Sequence, residues 1–258
     1  MRGLAGRGVL VCGGTSGIGL AAARRFLAEG CRVYVTGHGR DALDAALKDL
    51  ADLTSTGTLA GGQVFDVRDH ERVGSVVADA EAACGAVSVL ANNAGIASRT
   101  PFLELGVDDW RQVIDVNLTG MFVMAQAFAR LLVENARPGS IINMASTNAV
   151  GGEEEYAHYN VSKGGVLQLT RTMAIELGAH GIRVNALCPG YIDTPLNADI
   201  AGGLDDGFAR TYADERIPLG RVGTTDEVAA AYAFLASDDA SFIHGTTLTI
   251  DGGQTAVM

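Results

Sequence analysis

Short apolar runs alternate with helical stretches along the whole chain, and this alternation most constrains the fold. Residues 9–12 form an apolar run that ends in glycines, the pattern of a parallel strand covered on both faces. Residues 17–29 read as a helix stopped by Gly30, Val33-Tyr34-Val35 as a second strand, and residues 41–53 as a second helix. Further strands are expected at 63–67, 87–91, 140–144, 184–187 and 247–250. Helices are expected between them at 70–84, 108–135, 156–179 and 226–237, the last preceded by a polar, glycine-containing stretch at 194–223. Such an alternation predicts an α/β fold, a parallel sheet with helices on both faces. No proline-rich linker, composition break or low-complexity segment divides the chain. Its 258 residues are therefore expected to form a single domain over 1–258, with a substrate loop at about 191–223.

Composition limits the function. The chain is 48% hydrophobic and 19% charged, which excludes intrinsic disorder. Its 30 acidic against 19 basic residues give a net charge of −11, which repels nucleic acid and anionic lipid. Neither is expected as a partner. Cys12, Cys31, Cys84 and Cys188 lie far apart with no C-x-x-C spacing, which argues against a cysteine zinc site or redox dithiol. His70, His180 and His244 form no metal-binding spacing, so no catalytic metal is expected; His158 is read as a packed or surface histidine. The first eight residues lack the apolar stretch of a signal peptide. The most apolar helical run, 121–133, is interrupted by Gln126 and Arg130 and is too short to span a bilayer. A soluble, cytoplasmic protein is expected.

Two local patterns carry chemistry. Directly after the first strand comes Gly13-Gly14-Thr15-Ser16-Gly17-Ile18-Gly19, with glycines spaced G-x3-G-x-G. Glycines there let backbone N–H groups approach a pyrophosphate, and the following helix N-terminus adds partial positive charge. The alternative is a tight turn without a ligand. The second pattern is Tyr159-x3-Lys163, which a helix stacks on one face. A phenol is a poor base at neutral pH, and a neighbouring ammonium favours its ionised form, making a proton donor and acceptor for a carbonyl/alcohol pair. On its own, Y-x3-K also fits an ordinary exposed helix face.

In this order and spacing, the glycine loop, Asn92-Asn93-Ala94-Gly95, Asn117, Ser146, Tyr159-x3-Lys163 and Pro189-Gly190 resemble the short-chain dehydrogenase/reductase family. Pro218-Leu219-Gly220-Arg221 and Asp251-Gly252-Gly253 resemble that family's ending, so the likeness covers essentially the whole chain. It implies a Rossmann-type, doubly wound sheet of seven parallel strands, a nicotinamide cofactor and a homotetramer. By the same resemblance Tyr159 is the catalytic acid/base, and Ser146, thirteen residues earlier, hydrogen-bonds the substrate oxygen. Lys163 holds the nicotinamide ribose hydroxyls and lowers the tyrosine pKa, while Asn117 positions a water in a proton relay. Gly13, Thr15, Ser16, Gly17, Ile18 and Gly19 belong to the cofactor loop, and Asn93, Ala94 and Gly95 line the cofactor near its ribose. Asp66 and Val67 match the adenine side; Pro189, Gly190, Ile192 and Thr194 match the segment that contacts the carboxamide and pyrophosphate. Cys12 departs from the family's usual threonine, a structural position.

The end of the second strand, where a carboxylate would accept the ribose 2′-hydroxyls of NAD, carries Gly37 followed by His38-Gly39-Arg40. With no carboxylate to repel a 2′-phosphate and Arg40 in reach of one, NADP(H) is favoured; NAD(H) is the alternative, because Ser16 and His38 stand where NADP-preferring members of the resembled family often carry a base and an arginine. An aspartate introduced at position 37 is expected to shift the preference toward NAD. Asn148, Glu153, Glu154 and Tyr191 are expected to border the substrate, and a glutamate pointing inward would disfavour an anionic one. The function expected is an NAD(P)-dependent oxidoreductase interconverting a secondary alcohol and a ketone. Alternatives are a 3-oxoacyl-carrier-protein-type ketoreductase, which the chain's acidity disfavours, and a non-enzymatic nucleotide-binding protein on the same fold. Apolar residues on several faces of helices 108–135 and 156–179 point to burial between subunits.

Overall fold

The computed structural model describes residues 1–53, 56–201 and 207–256. Seven strands pair in parallel throughout, in the order β3-β2-β1-β4-β5-β6-β7. The chain runs β1 (Gly8–Cys12), α1 (Gly17–Ala28), β2 (Arg32–Gly37), α2 (Arg40–Ala51), β3 (Thr58–Val64), α3 (Val73–Cys84) and β4 (Val87–Asn92). It continues with α4 (Val107–Ile114), a π-helical turn (Asp115–Thr119), α5 (Gly120–Glu134), β5 (Gly139–Met144), α6 (Ala157–Leu177) and β6 (Ile182–Pro189). Helices α7 (Pro195–Ala201), α8 (Phe208–Arg216) and α9 (Thr225–Ala236) precede β7 (Thr247–Ile250).

Strand β1 shows why the sheet is covered on both sides. All five of its residues are buried. Val9 and Val11 join one core with Phe26 and Leu27 of α1 and Tyr232 of α9. Leu10 and Cys12, alternating with them, join the other with Val76 and Val77 of α3 and Met124 and Phe128 of α5. Because β1 pairs with both β2 and β4, chain direction across the sheet reverses at their C-terminal ends. That reversal opens the crevice in which open α/β sheets hold ligands.

Three elements differ from expectation. The third strand was expected at 63–67 but runs over Thr58–Val64. As an edge strand it pairs only with β2, and its Thr-Leu-Ala-Gly-Gly start offers no apolar run to reveal it. Phe65 and Val67 are buried beyond the strand. The apolar helix, expected at 108–135, extends over Val107–Glu134 and by length and composition could cross a membrane, unlike the shorter 121–133 run. Its buried residues, among them Val113, Met124, Phe128 and Leu132, pack instead within the fold. Finally, the 194–223 stretch contains α7 and α8, and its residues 202–206 lie outside the described residues.

Candidate active site

A cavity of about 880 Å³ opens at the C-terminal ends of the strands, with α7 and α8 over one side. Gly13, Thr15, Ser16, Gly17 and Ile18 line one end. Gly13 has φ +80°, and a Cβ there would lie 2.7 Å from the backbone N and Cα of Ala94. The loops after β1 and β4 can meet this closely only because residue 13 is glycine. Asn93 locks them together, its Nδ2 donating to the Gly13 carbonyl at 2.9 Å. Ser16 caps α1 in an extended conformation without a side-chain cap bond, leaving the first N–H groups of the helix available to an anion. This bare-backbone cradle fits the pyrophosphate of a dinucleotide. Gly19 does not line the cavity. A Cβ there would lie 1.9 Å from the Gly13 carbonyl oxygen, so it serves the close approach of α1 to the loop.

At the ends of β2 and β3, His38, Asp66, Val67 and Arg68 line the cavity. Arg68 grips Asp66 through Nε at 3.0 Å and Nη2 at 2.6 Å, and these bonds hold the carboxyl below its ordinary range. Arg68 went unnoticed in the sequence because no motif marks it. Arg40, expected at the cofactor, does not line the cavity; it starts α2 on the surface and faces Asp44 at 3.4 Å. Gly37 is packed: a Cβ there would lie 2.3 Å from Thr15 Cγ2 and 2.5 Å from Thr15 Oγ1. An aspartate at 37 would therefore disturb the pyrophosphate loop itself, so it is not the clean cofactor probe expected from sequence.

The reactive groups meet at the other end. Ser146 follows β5 and caps a short turn, accepting from the Asn148 N–H at 3.2 Å and donating to Asn148 Oδ1 at 3.3 Å. Tyr159 and Lys163 lie one turn apart on α6, with Lys163 Nζ 5.5 Å from the Tyr159 ring centre. Lys163 is buried and donates to the Met144 carbonyl at 2.9 Å. Burial pushes the Tyr159 phenol up to about 12, against the opposing hydrogen bond with Ser146. Burial also pulls the Lys163 amine down to about 8. Desolvation thus outweighs the expected lowering of the tyrosine by lysine, and the tyrosine rests as a protonated phenol. A Cβ on Gly95 would lie 3.4 Å from Lys163 Nζ, so the glycine keeps the approach to the amine open.

Asn117 is fully buried in the π-helical turn and does not line the cavity. Its Oδ1 accepts from the Ile96 N–H and its Nδ2 donates to the Ile96 carbonyl, both at 2.8 Å; Nδ2 also reaches Ser162 Oγ at 3.2 Å. With both ends of the amide engaged, the side chain clamps the segment after β4. His158 is packed, fully buried with Nε2 2.9 Å from Ser98 Oγ.

On the substrate side, Asn148, Glu153, Glu154 and Tyr191 all line the cavity, as do Pro189, Gly190, Ile192 and Thr194. Phe208 and Tyr212 of the expected substrate loop join them there, together with Tyr156 and Gln254, which sequence reasoning missed. Gln254, from the turn after β7, donates to the Tyr212 hydroxyl at 2.7 Å. Only the folded chain brings that C-terminal turn to α8.

Comparison with known proteins agrees with this geometry. A sequence profile described as Enoyl-(Acyl carrier protein) reductase matches residues 13–255. The chain is 39% identical to 3beta-hydroxysteroid dehydrogenase 1 of Eggerthella lenta over 252 residues, 98% of this chain and 95% of that protein. Its structure resembles levodione reductase with a TM-score of 0.94 at 32% identity, covering 98% of this chain and 99% of the other. It also resembles a gluconate 5-dehydrogenase from Burkholderia cenocepacia, solved with NADP and tartrate, with a TM-score of 0.89 at 34% identity over 100% and 97% of the two chains. With the match spanning nearly every residue from the glycine cradle to the C-terminal turn, the chain belongs to the short-chain dehydrogenase/reductase family of oxidoreductases.

Proposed function

We propose that the protein interconverts a secondary alcohol and a ketone, using NADP(H) in preference to NAD(H). The observation that carries this reading is the meeting of Ser146, Tyr159 and Lys163 in the cavity whose other end is the glycine cradle. When bound, the nicotinamide supplies or accepts the hydride. Tyr159, a protonated phenol, donates its proton to the carbonyl oxygen as the ketone is reduced. Ser146 Oγ hydrogen-bonds the same oxygen and fixes its position against the phenol. Lys163, where charged, offsets the phenolate left behind, because opposite charges attract strongly in a dry site. The residues that would hold the cofactor are Gly13, the 15–18 loop, His38, Asp66, Val67, the 93–95 segment, Lys163, Pro189, Gly190, Ile192 and Thr194.

The NADP(H) preference is supported by the missing carboxylate at position 37, by His38 on the cavity wall, and by the engagement of Asp66 with Arg68. Free, buried thiols at all four cysteines suit the cytoplasm. A homotetramer is supported by Phe122 and Val133 on α5 and Val161 and Ile175 on α6, which remain exposed. The single-domain reading is supported by one sheet that runs from the first strand to the last. A panel of ketones and secondary alcohols, followed by reduced-nicotinamide absorbance with each cofactor, tests the activity. NADPH-dependent ketone reduction is expected; the absence of turnover across the panel would refute the reading.

A further inference from the structure

The substrate half of the cavity has two features that no family motif specifies. Its wall is aromatic. The Tyr191 and Tyr212 ring centres are 5.0 Å apart, with Phe208 at 5.8 Å from Tyr212 and 6.2 Å from Tyr191. Three tilted rings make a broad apolar surface suited to a flat, compact body. Some of the polar groups beside this wall are engaged with one another. Asn148 Nδ2 donates to Glu153 Oε2 and to Asn160 Oδ1, each at 2.9 Å, and the Tyr212 hydroxyl accepts from Gln254. A flexible polyol laid on the aromatic face would lose water from several hydroxyls, a cost that an apolar ring avoids.

The second feature is a fixed negative charge. Glu153 is tied at both ends: its side chain accepts from Asn148, and its backbone carbonyl accepts from Asn160 Nδ2 at 2.8 Å. Asn148 in turn accepts from Ser146, so the carboxylate stands two hydrogen bonds from the reactive serine. The phenols of Tyr156, Tyr159, Tyr191 and Tyr212 are all raised, first by burial, and in each the Glu153 charge adds to the effect. The other charges nearby do not cancel it. Arg99 is paired with Glu155 at 2.7 Å. Exposed Arg216 sits over the Tyr212 ring at 5.9 Å, next to Glu215.

We propose that Glu153, positioned by Asn148 and Asn160 beside the aromatic wall, selects uncharged ring-shaped ketones and secondary alcohols and rejects those that carry a carboxylate or phosphate on the ring. This rests on the oxidoreductase reading above and names its substrate class. Repulsion by one charge across a partly solvated pocket is enough for discrimination on the order of tenfold.

The test compares cyclohexanone with 4-oxocyclohexanecarboxylate in the full-length protein, in Glu153→Gln and in Glu153→Lys. The readout is the ratio of kcat/KM for the neutral over the anionic ketone, with NADPH affinity by fluorescence confirming the fold of each variant. The expected wild-type ratio is about ten or more, falling several-fold in Glu153→Gln and further in Glu153→Lys. A wild-type preference for the carboxylate, or a ratio that moves less than about twofold in both variants, would overturn the role of Glu153. A wild type that reduces open-chain ketones but not the ring would overturn the ring assignment. A wild type that binds NADPH yet reduces no ketone at all would instead refute the parent reading, and this inference with it.

Discussion

Lys163 Nζ lies 5.5 Å from the centre of the Tyr159 ring and is held in place by its hydrogen bond to the Met144 carbonyl. The pair is buried, so each group resists its charged form: the phenol is raised to about 12 and the amine lowered to about 8. Reduction of a ketone turns the neutral phenol into a phenolate, and a charged lysine beside it compensates. Below pH 8 the amine is mostly charged, and above it mostly neutral. The kcat/KM for ketone reduction should therefore fall as pH rises through about 8, with cofactor affinity followed separately. A profile flat from about pH 6 to 10 would contradict this coupling.

The same burial makes a stability prediction. A lysine whose folded pKa is lowered binds fewer protons folded than unfolded, between about 8 and its ordinary value. Its destabilising effect is fully present below about pH 8 and is relieved as pH rises toward the ordinary lysine range. Lys163→Met should therefore raise the Tm of the cofactor-free protein at about pH 6.5 and lose that advantage at about pH 9.5, while ketone reduction falls at least about a hundredfold. Thermal melts of both proteins at the two pH values check it. A lower Tm for the variant at both would show that the amine stabilises the fold.

Much of this was legible before the structure. The glycine loop, the central strands and the Ser146, Tyr159, Lys163 set follow from local pattern, since apolar runs, glycine spacing and an i, i+4 pair are written in consecutive residues. What was not legible depends on contacts distant in sequence. Strand β3 gains its place from pairing with β2 rather than from its own hydrophobicity. Arg40 stands only a few residues past the glycine-rich turn, yet the start of α2 directs it to Asp44. The Asn117 amide clamps Ile96 at a sequence separation of 21, a contact that no local pattern announces. Gln254 and Tyr212 are 42 residues apart and meet only when β7 and α8 pack around the cavity.

Cofactor choice should be probed at His38 rather than Gly37. The exposed His38 lines the cavity, whereas a side chain at 37 would collide with Thr15. His38→Asp should repel a 2′-phosphate and lower kcat/KM for NADPH relative to NADH by about tenfold or more. The paired values for both cofactors in the two proteins measure it. An unchanged ratio would mean that this loop does not read the 2′ position.

Assembly rests on the residual apolar surface of α5 and α6. Apolar residues such as Met124, Phe128 and Val166 are buried within the chain, but Ile175 is 84% exposed and Val161 51%. Light scattering should report about four times the 26.7 kDa chain mass. Ile175→Glu, which touches none of the reactive groups, should shift the mass toward smaller species. A wild-type monomer at micromolar concentration would contradict the tetramer.

In the proposed reaction the Tyr159 hydroxyl delivers the proton. Tyr159→Phe removes that oxygen and little else. Single-turnover reduction of a ketone by NADPH-loaded enzyme, with cofactor affinity measured on the same sample, tests it most directly. Turnover is expected to fall by at least about a hundredfold with NADPH binding retained. Near-wild-type turnover by the variant would contradict it.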